Sequence, residues 1–328
     1  MGWVIVVGPT HSRTTGRHDA AANNRSGMEM NDYVSTHQSE DDIRNESLMI
    51  WVNGRLVPKA QAMVSVYDSG FMLGDGVWEG IRLYNGRWAF LDEHLDRLFE
   101  AAKAIDLDIT MTREQLHSAL LQTQKSNGMV TDAHARMMVT RGVKTRPFQH
   151  PKLSQQGPTV VIIMEHSRPK LPRPIRLATV PHLRGLPMTQ DPKLNSHSKL
   201  NCVLACIAAE KAGADEALML DVHGFVNTTN ACNFFIVRRG EVWTSTGDYC
   251  MNGITRRKVI ELCRANGIPV FEKNFSLVDV YGADEAFLTG TFGAQTPVGQ
   301  IDGRVIGTGQ MGPMTQRLRE LYKELVEA

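Results

Sequence analysis

The chain has 328 residues, 42% hydrophobic and 22% charged, a composition that suits one or two folded domains with a sizeable core. Its 36 basic residues nearly balance 35 acidic ones, so no bulk field draws it to nucleic acid or to a membrane surface. No apolar run approaches the roughly 20 residues of a membrane span, residues 1–8 lack the basic flank of a secretory signal, and five scattered cysteines suit a reducing compartment, so a cytoplasmic protein is expected.

Residues 9–47 are polar and aperiodic. Too little apolar surface is available there to offset ordering entropy, so residues 1–48 are expected to form a disordered extension, with the folded body starting near Met49. Residues 50–57 read as two short strands around an Asn53-Gly54 turn, whose residues tolerate positive φ. Asp92 can cap a helix whose Leu95, Leu98, Phe99, Ala102 and Ile105 share one face. Residues 135–141 and 159–164 are β-prone, whereas 168–174 hold three prolines and read as a linker.

Beyond the linker, 175–180 reads as a strand and 198–212 as a helix with Val203, Leu204, Ile207 and Ala208 on one side. Residues 216–221, 225–226 and 233–237 alternate as strands around His223-Gly224. Gly253-Ile254-Thr255 opens a helix running to about Asn266, 286–289 is a strand, and 315–326 is a closing amphipathic helix. The reading is an α/β protein in two domains, a smaller one at 49–167 and a larger one at 175–328, without internal repeats.

Three features can hold a phosphate. Arg97 offers a permanently charged fork, the start of the helix at Gly253 offers free N–H groups, and 289–293 form a glycine-rich turn after a strand. No Walker or dinucleotide fingerprint is present. His197, Cys202 and Cys206 lack an evident fourth ligand, so no metal site is expected.

Four stretches in order carry a resemblance: Asp75-Gly76-Val77-Trp78-Glu79-Gly80-Ile81-Arg82, then 92–98 around Arg97, then Gly253-Ile254-Thr255-Arg256, then 288–291 with Thr296-Pro297-Val298. Together they resemble the class IV (fold-type IV) aminotransferases, a family of pyridoxal 5′-phosphate (PLP) enzymes that includes branched-chain and D-amino-acid aminotransferases and aminodeoxychorismate lyase. The resemblance runs from about Met49 to the C-terminus. It implies a two-domain fold with PLP in the cleft, a phosphate cup of Arg97, Ile254, Thr255 and Thr291, and a homodimer in which the neighbouring subunit's loop helps close each site.

Two positions depart from that pattern. The family's lysine, which forms an imine with the cofactor and then shuttles a proton, aligns with Asn195, and an amide cannot form an imine. Lys199, four residues on, would share a helical face with Asn195 and is taken as the replacement, while a gap of two residues in the alignment would select Lys193 instead. The family's glutamate at the pyridine nitrogen aligns with Thr228, a weaker partner for a protonated ring.

Arg146 matches a carboxylate-binding arginine of the D-amino-acid enzymes, whose partner histidine aligns with Phe148, with His150 two residues later. Trp78 and Tyr84 are expected to line the side-chain pocket. The implied activity is amino transfer of the branched-chain type between an amino acid and a 2-oxo acid. A β-eliminating lyase of the aminodeoxychorismate type and a PLP-binding protein without catalysis are the alternatives.

Overall fold

Turn chemistry sets the first hairpin, where Asn53 and Gly54 at φ 45° and 88° join β1 (Met49–Val52) to β2 (Arg55–Pro58). The computed structural model describes residues 34–170 and 173–327. A first sheet adds β3 (Gly76–Tyr84), β4 (Arg87–Trp88), β5 (Ala133–Thr140) and β6 (Thr159–His166) in the order β2-β1-β6-β5-β3-β4, antiparallel throughout. Helices α1 (Ser69–Leu73), α2 (Leu91–Ala104) and α3 (Arg113–Ser126) belong to this half of the chain, and a core of Leu95, Leu98, Leu116 and Leu120 packs against Ile81, Met137 and Ile162. Asp92 is not the cap of α2: the helix starts at Leu91 after Phe90 turns at φ 54°, leaving Asp92 in the first turn, where its charge suits the helix dipole.

The second sheet is built from β7 (Ile175–Thr179), β8 (Glu216–Leu220), β9 (Val226–Thr229), β10 (Asn233–Arg238), β11 (Glu241–Thr244), β12 (Val270–Glu272), β13 (Glu285–Gly290), β14 (Ala294–Ile301) and β15 (Arg304–Val305). Its order is β12-β11-β10-β13-β14-β7-β8-β9, and the pairing of Asn233 with Thr228 brings β9 back to β10. Strands β7 and β8 are parallel, so the chain between them must cross over, and it does so through α4 (Pro187–Gln190) and α5 (Leu200–Lys211). Helices α6 (Ile254–Ala265), α7 (Leu277–Tyr281) and α8 (Pro313–Glu327) complete this half.

Residues 34–47 depart from expectation. Val34, Ser35 and Thr36 are buried, and the Thr36 N–H donates to Glu216 Oε1 at 2.9 Å. Composition misjudged this stretch because a single apolar residue, Val34, enters the core and hydrogen bonds to a buried carboxylate hold the two residues after it. The rest of the expected extension, residues 1–33, lies outside the described residues. The helix expected from residue 198 starts at Leu200, with Lys199 as its N-cap, so Asn195 and Lys199 do not share a helical face. Instead residues 195–197 run beside β3: Ser196 bridges Val77, and Asn195 exchanges main-chain contact with Trp78.

Candidate active site

A cavity of about 350 Å³ is lined from β3 and β5 of the first sheet, from β9 and β13 of the second, and from the starts of α5 and α6. At one end stand Ile254 and Thr255. Their helix opens after Gly253 without a side-chain cap, so its first N–H groups and dipole are available to an anion. Beside them the Thr289 hydroxyl is buried without a hydrogen-bond partner among the described residues, and Thr291 follows in the turn. Arg97 reaches the same end from α2. Its Nε and Nη2 donate to Glu79 at 2.7 and 2.8 Å, and Nη1 lies 3.3 Å from the Asn252 carbonyl.

Glu79 is fully buried and also has His94 Nδ1 2.6 Å from its Oε2. Burial pushes its carboxyl upward, but the Arg97 charge and the hydrogen bonds from Arg97 and His94 outweigh that and hold it below the usual range. Glu79 thus fixes the Arg97 fork, with Nη1 held against the Asn252 carbonyl just before the start of α6.

Lys199 and Trp78 meet at the other end. The Lys199 ammonium lies 5.8 Å from the Trp78 ring centroid, and burial lowers its pKa to about 8. Asn195 lines the cavity too, but its amide is spent on the main chain, donating from Nδ2 to the Trp78 carbonyl at 2.7 Å. Lys193 is exposed and does not line the cavity. Thr228 lies at the base, its single hydroxyl proton given to the Cys232 carbonyl at 2.5 Å.

Two expected residues fall elsewhere. Tyr84 shares the Trp78 face of β3 but sits six residues along, about 20 Å at strand rise. The Arg82 guanidinium stands between it and the cavity, 5.5 Å from the Tyr84 ring and 5.1 Å from Phe292. Arg146 is exposed on a loop and does not line the cavity of its own chain. Phe148 is likewise exposed, and His150 is used locally, its Nδ1 accepting from the Lys152 N–H at 3.2 Å.

Three unanticipated residues take part. Arg136 projects from β5 onto the Trp78 ring at 4.0 Å, and no ion pair or side-chain hydrogen bond engages its guanidinium among the described residues. His134, two residues earlier on the same face, is held neutral: burial and the charges of Arg82 and Arg136 lower its pKa to about 3. His37 enters from the N-terminal segment, 5.9 Å from the Phe292 ring. Period-two reading of 135–141 could have found Arg136, as a cation on the open face of a half-buried strand. Nothing in the local sequence pointed to His37.

The two sheets and the cleft they share define a fold-type IV architecture. A family model for class IV amino-transferases matches residues 76–301, and the chain belongs to that family. A branched-chain-amino-acid aminotransferase-like protein 2 from Arabidopsis thaliana is 41% identical over 285 residues, 86% of this chain and 51% of that protein. This chain thus spans about half the length of that relative. A putative branched-chain-amino-acid aminotransferase from Methanocaldococcus jannaschii is 41% identical over 281 residues, 85% of this chain and 96% of that protein. Among solved structures, a branched-chain aminotransferase from Thermoproteus uzoniensis superposes with a TM-score of 0.78 at 34% identity, covering 86% of this chain and 95% of that one.

Proposed function

We propose that this chain is a pyridoxal-phosphate-dependent aminotransferase of the branched-chain type, moving an amino group between an amino acid and a 2-oxo acid. The observation that carries this reading is one cavity that collects phosphate-facing groups from three separate segments and an amine of lowered pKa. The lining fits the cofactor. The uncapped start of α6 and the buried Thr289 hydroxyl, without a partner among the described residues, suit a phosphate, and Lys199 offers the amine that Asn195 lacks.

Bound there, pyridoxal phosphate supplies a carbonyl that takes up an amino group and a ring that draws electrons from the substrate Cα. Ile254 and Thr255 N–H, Thr291 and Arg97 would hold its phosphate, Thr228 would face its ring nitrogen, and Lys199 would hold it covalently through Nζ. Burial keeps a usable fraction of Lys199 uncharged near neutral pH, so Nζ can accept a proton from Cα and return it. Arg136, braced on Trp78, binds the substrate carboxylate in its unengaged fork. Thr228 has no proton free for the ring nitrogen while it donates to Cys232, so the ring is left less electron-withdrawing than a carboxylate partner would make it.

The same reading takes 49–167 and 175–328 as two domains joined by 168–174, with a second copy of the chain as partner. Helix α5 supports the dimer: Ala205 and Ala209 are buried while Leu200, Val203, Leu204 and Ile207 are exposed on the other side. Leu73 and Leu183 are also exposed, and hydrogen bonds from Ser198 to Gly74 and from Asn201 to Leu183 join these loops to α5. All five cysteines are unpaired, which suits a cytoplasmic setting.

The test is the absorbance of purified protein with added pyridoxal phosphate, followed by borohydride reduction and peptide mapping, alongside an amino-transfer assay with leucine and a 2-oxo acid. A pyridoxyl group on Lys199 and measurable transfer are expected. Cofactor bound without any lysine labelled, and no transfer, would overturn the aminotransferase reading.

A further inference from the structure

His37 comes from outside the 76–301 stretch that the family model matches, yet it lines the cavity. The segment carrying it is fastened on both sides. Upstream, Ser35 and Thr36 engage Glu216, a buried carboxylate at the start of β8. Downstream, the Lys170 N–H donates to the Gln38 carbonyl at 2.9 Å, and the Glu40 N–H to the Arg168 carbonyl at 2.9 Å. His37 stands between these anchors with its ring stacked at 30° on Phe292, reachable by solvent through the cleft.

Hydrogen-bond counting fixes the state of this ring. With Glu216 ionised, its Oε1 only accepts, taking the Thr36 N–H and the single proton of the Thr36 hydroxyl. The hydroxyl can therefore only accept from His37, whose Nδ1 lies 3.1 Å away. That places the imidazole proton on Nδ1 and leaves Nε2 a bare acceptor, with no hydrogen-bond partner among the described residues. Desolvation, opposed by Glu216 and reinforced by Arg136, lowers the pKa of the ring.

We infer that His37 is a specificity-determining residue. Its Nε2 accepts a hydrogen bond from a hydroxyl or amide N–H on the side chain of a substrate whose carboxylate Arg136 holds. The inference deepens the amino-acid reading of the cavity and rests on it. Two aromatic walls, Phe292 and Trp78, flank the pair, so a side chain there is apolar in its surroundings and polar at one fixed point. An acceptor held in one place by its anchors favours side chains that can donate to it over isosteres that cannot. Threonine against valine, and asparagine against leucine, are pairs of similar shape that differ in such a donor.

The first test needs no catalysis. In protein labelled with ¹⁵N-histidine and loaded with pyridoxal phosphate, the His37 ring is assigned by its loss in His37→Phe, which preserves stacking on Phe292. The long-range ¹H–¹⁵N pattern should show Nδ1 protonated, and threonine but not valine should shift the Nε2 resonance. An Nε2-protonated ring, or an equal response to both amino acids, overturns the inference even if no transfer is ever detected. In the transfer assay, kcat/KM for threonine should fall in His37→Phe about tenfold further than kcat/KM for valine. Equal falls for both would also overturn it, while leaving the aminotransferase reading intact.

Discussion

The two ends of the cavity are made of different material. At the end proposed for the phosphate, the groups suited to an anion are mostly main-chain N–H groups at the start of α6, beside hydroxyls and the Arg97 that Glu79 clamps. Around the proposed reacting end the lining is side chains: Lys199, Thr228, Arg136 and His37. A main-chain site survives most substitutions, because any residue that keeps the helix start keeps the N–H groups. A side-chain site can be rewritten one residue at a time, as Asn195 and Thr228 illustrate. Chemistry can therefore drift in this fold while the cofactor's anchor stays put.

The sharpest break of that contrast is Lys199→Ala. Amino transfer should fall on the order of 10³-fold or more, whereas pyridoxal phosphate should still bind, now reversibly and removable by dialysis. If binding vanished with activity, the phosphate end would not be an independent anchor.

Next in size is Arg97→Ala, which strikes the one charged side chain of the phosphate end. It leaves Glu79 buried beside His94 alone, and unfolding in denaturant should show a loss of about 3 kcal/mol. The sign with pH follows from the depressed Glu79 carboxyl. Its stabilisation is present above the ordinary carboxylate range and is lost as pH falls through the lowered folded value. The variant should therefore lose much of the parent's stability difference between neutral and acid pH.

Lys199 also carries a stability signature. Its folded pKa of about 8 lies below the ordinary lysine value of about 10.4, so the folded state is penalised in full below pH 8. Lys199→Met should be more stable than the parent at pH 7, by about 2 to 3 kcal/mol at most, with the gain fading as pH rises from about 8 to about 10.4. The same titration should make covalent loading of pyridoxal phosphate onto the apoprotein quicken with pH toward a plateau above about 8, because only the uncharged Nζ adds to a carbonyl. A loading rate flat from pH 6.5 to 9 would show that Lys199 is not the amine that takes the cofactor.

The smallest effect belongs to Asn195→Ala. It removes the hydrogen bond to the Trp78 carbonyl and should cost about 1 kcal/mol of stability. Transfer should fall far less than in Lys199→Ala, since the Asn195 amide is occupied by main chain. A comparable loss would return this position to the chemistry.

The local features proposed for the phosphate end were legible in the sequence, a glycine, a helix start and a turn after a strand, and the structure has that helix start and turn on the cavity lining. The reacting end was legible only in part. Lys199 was chosen on the premise of a shared helical turn with Asn195, and although it does line the cavity, the backbone there is bridged to β3 and not helical. Strand β3 went unread because it is buried on both faces and so lacks alternation. Strand β14 is interrupted by proline and glycine. Arg136 is placed by Trp78, and His37 by the bonds of its neighbour Thr36 to Glu216, all distant in sequence, so no window of residues contains both partners.

One consequence of Trp78 is optical. Of the five tryptophans in the sequence, it alone among the described residues lines the cavity, with Trp51 and Trp88 buried elsewhere and Trp243 covered by Lys273. Its emission is therefore an intrinsic gauge of occupancy, dimmed when an absorbing ligand lies beside it and altered again when the charge on Arg136 is neutralised. Filling of the two ends could then be followed separately and in real time, without a label and without turnover.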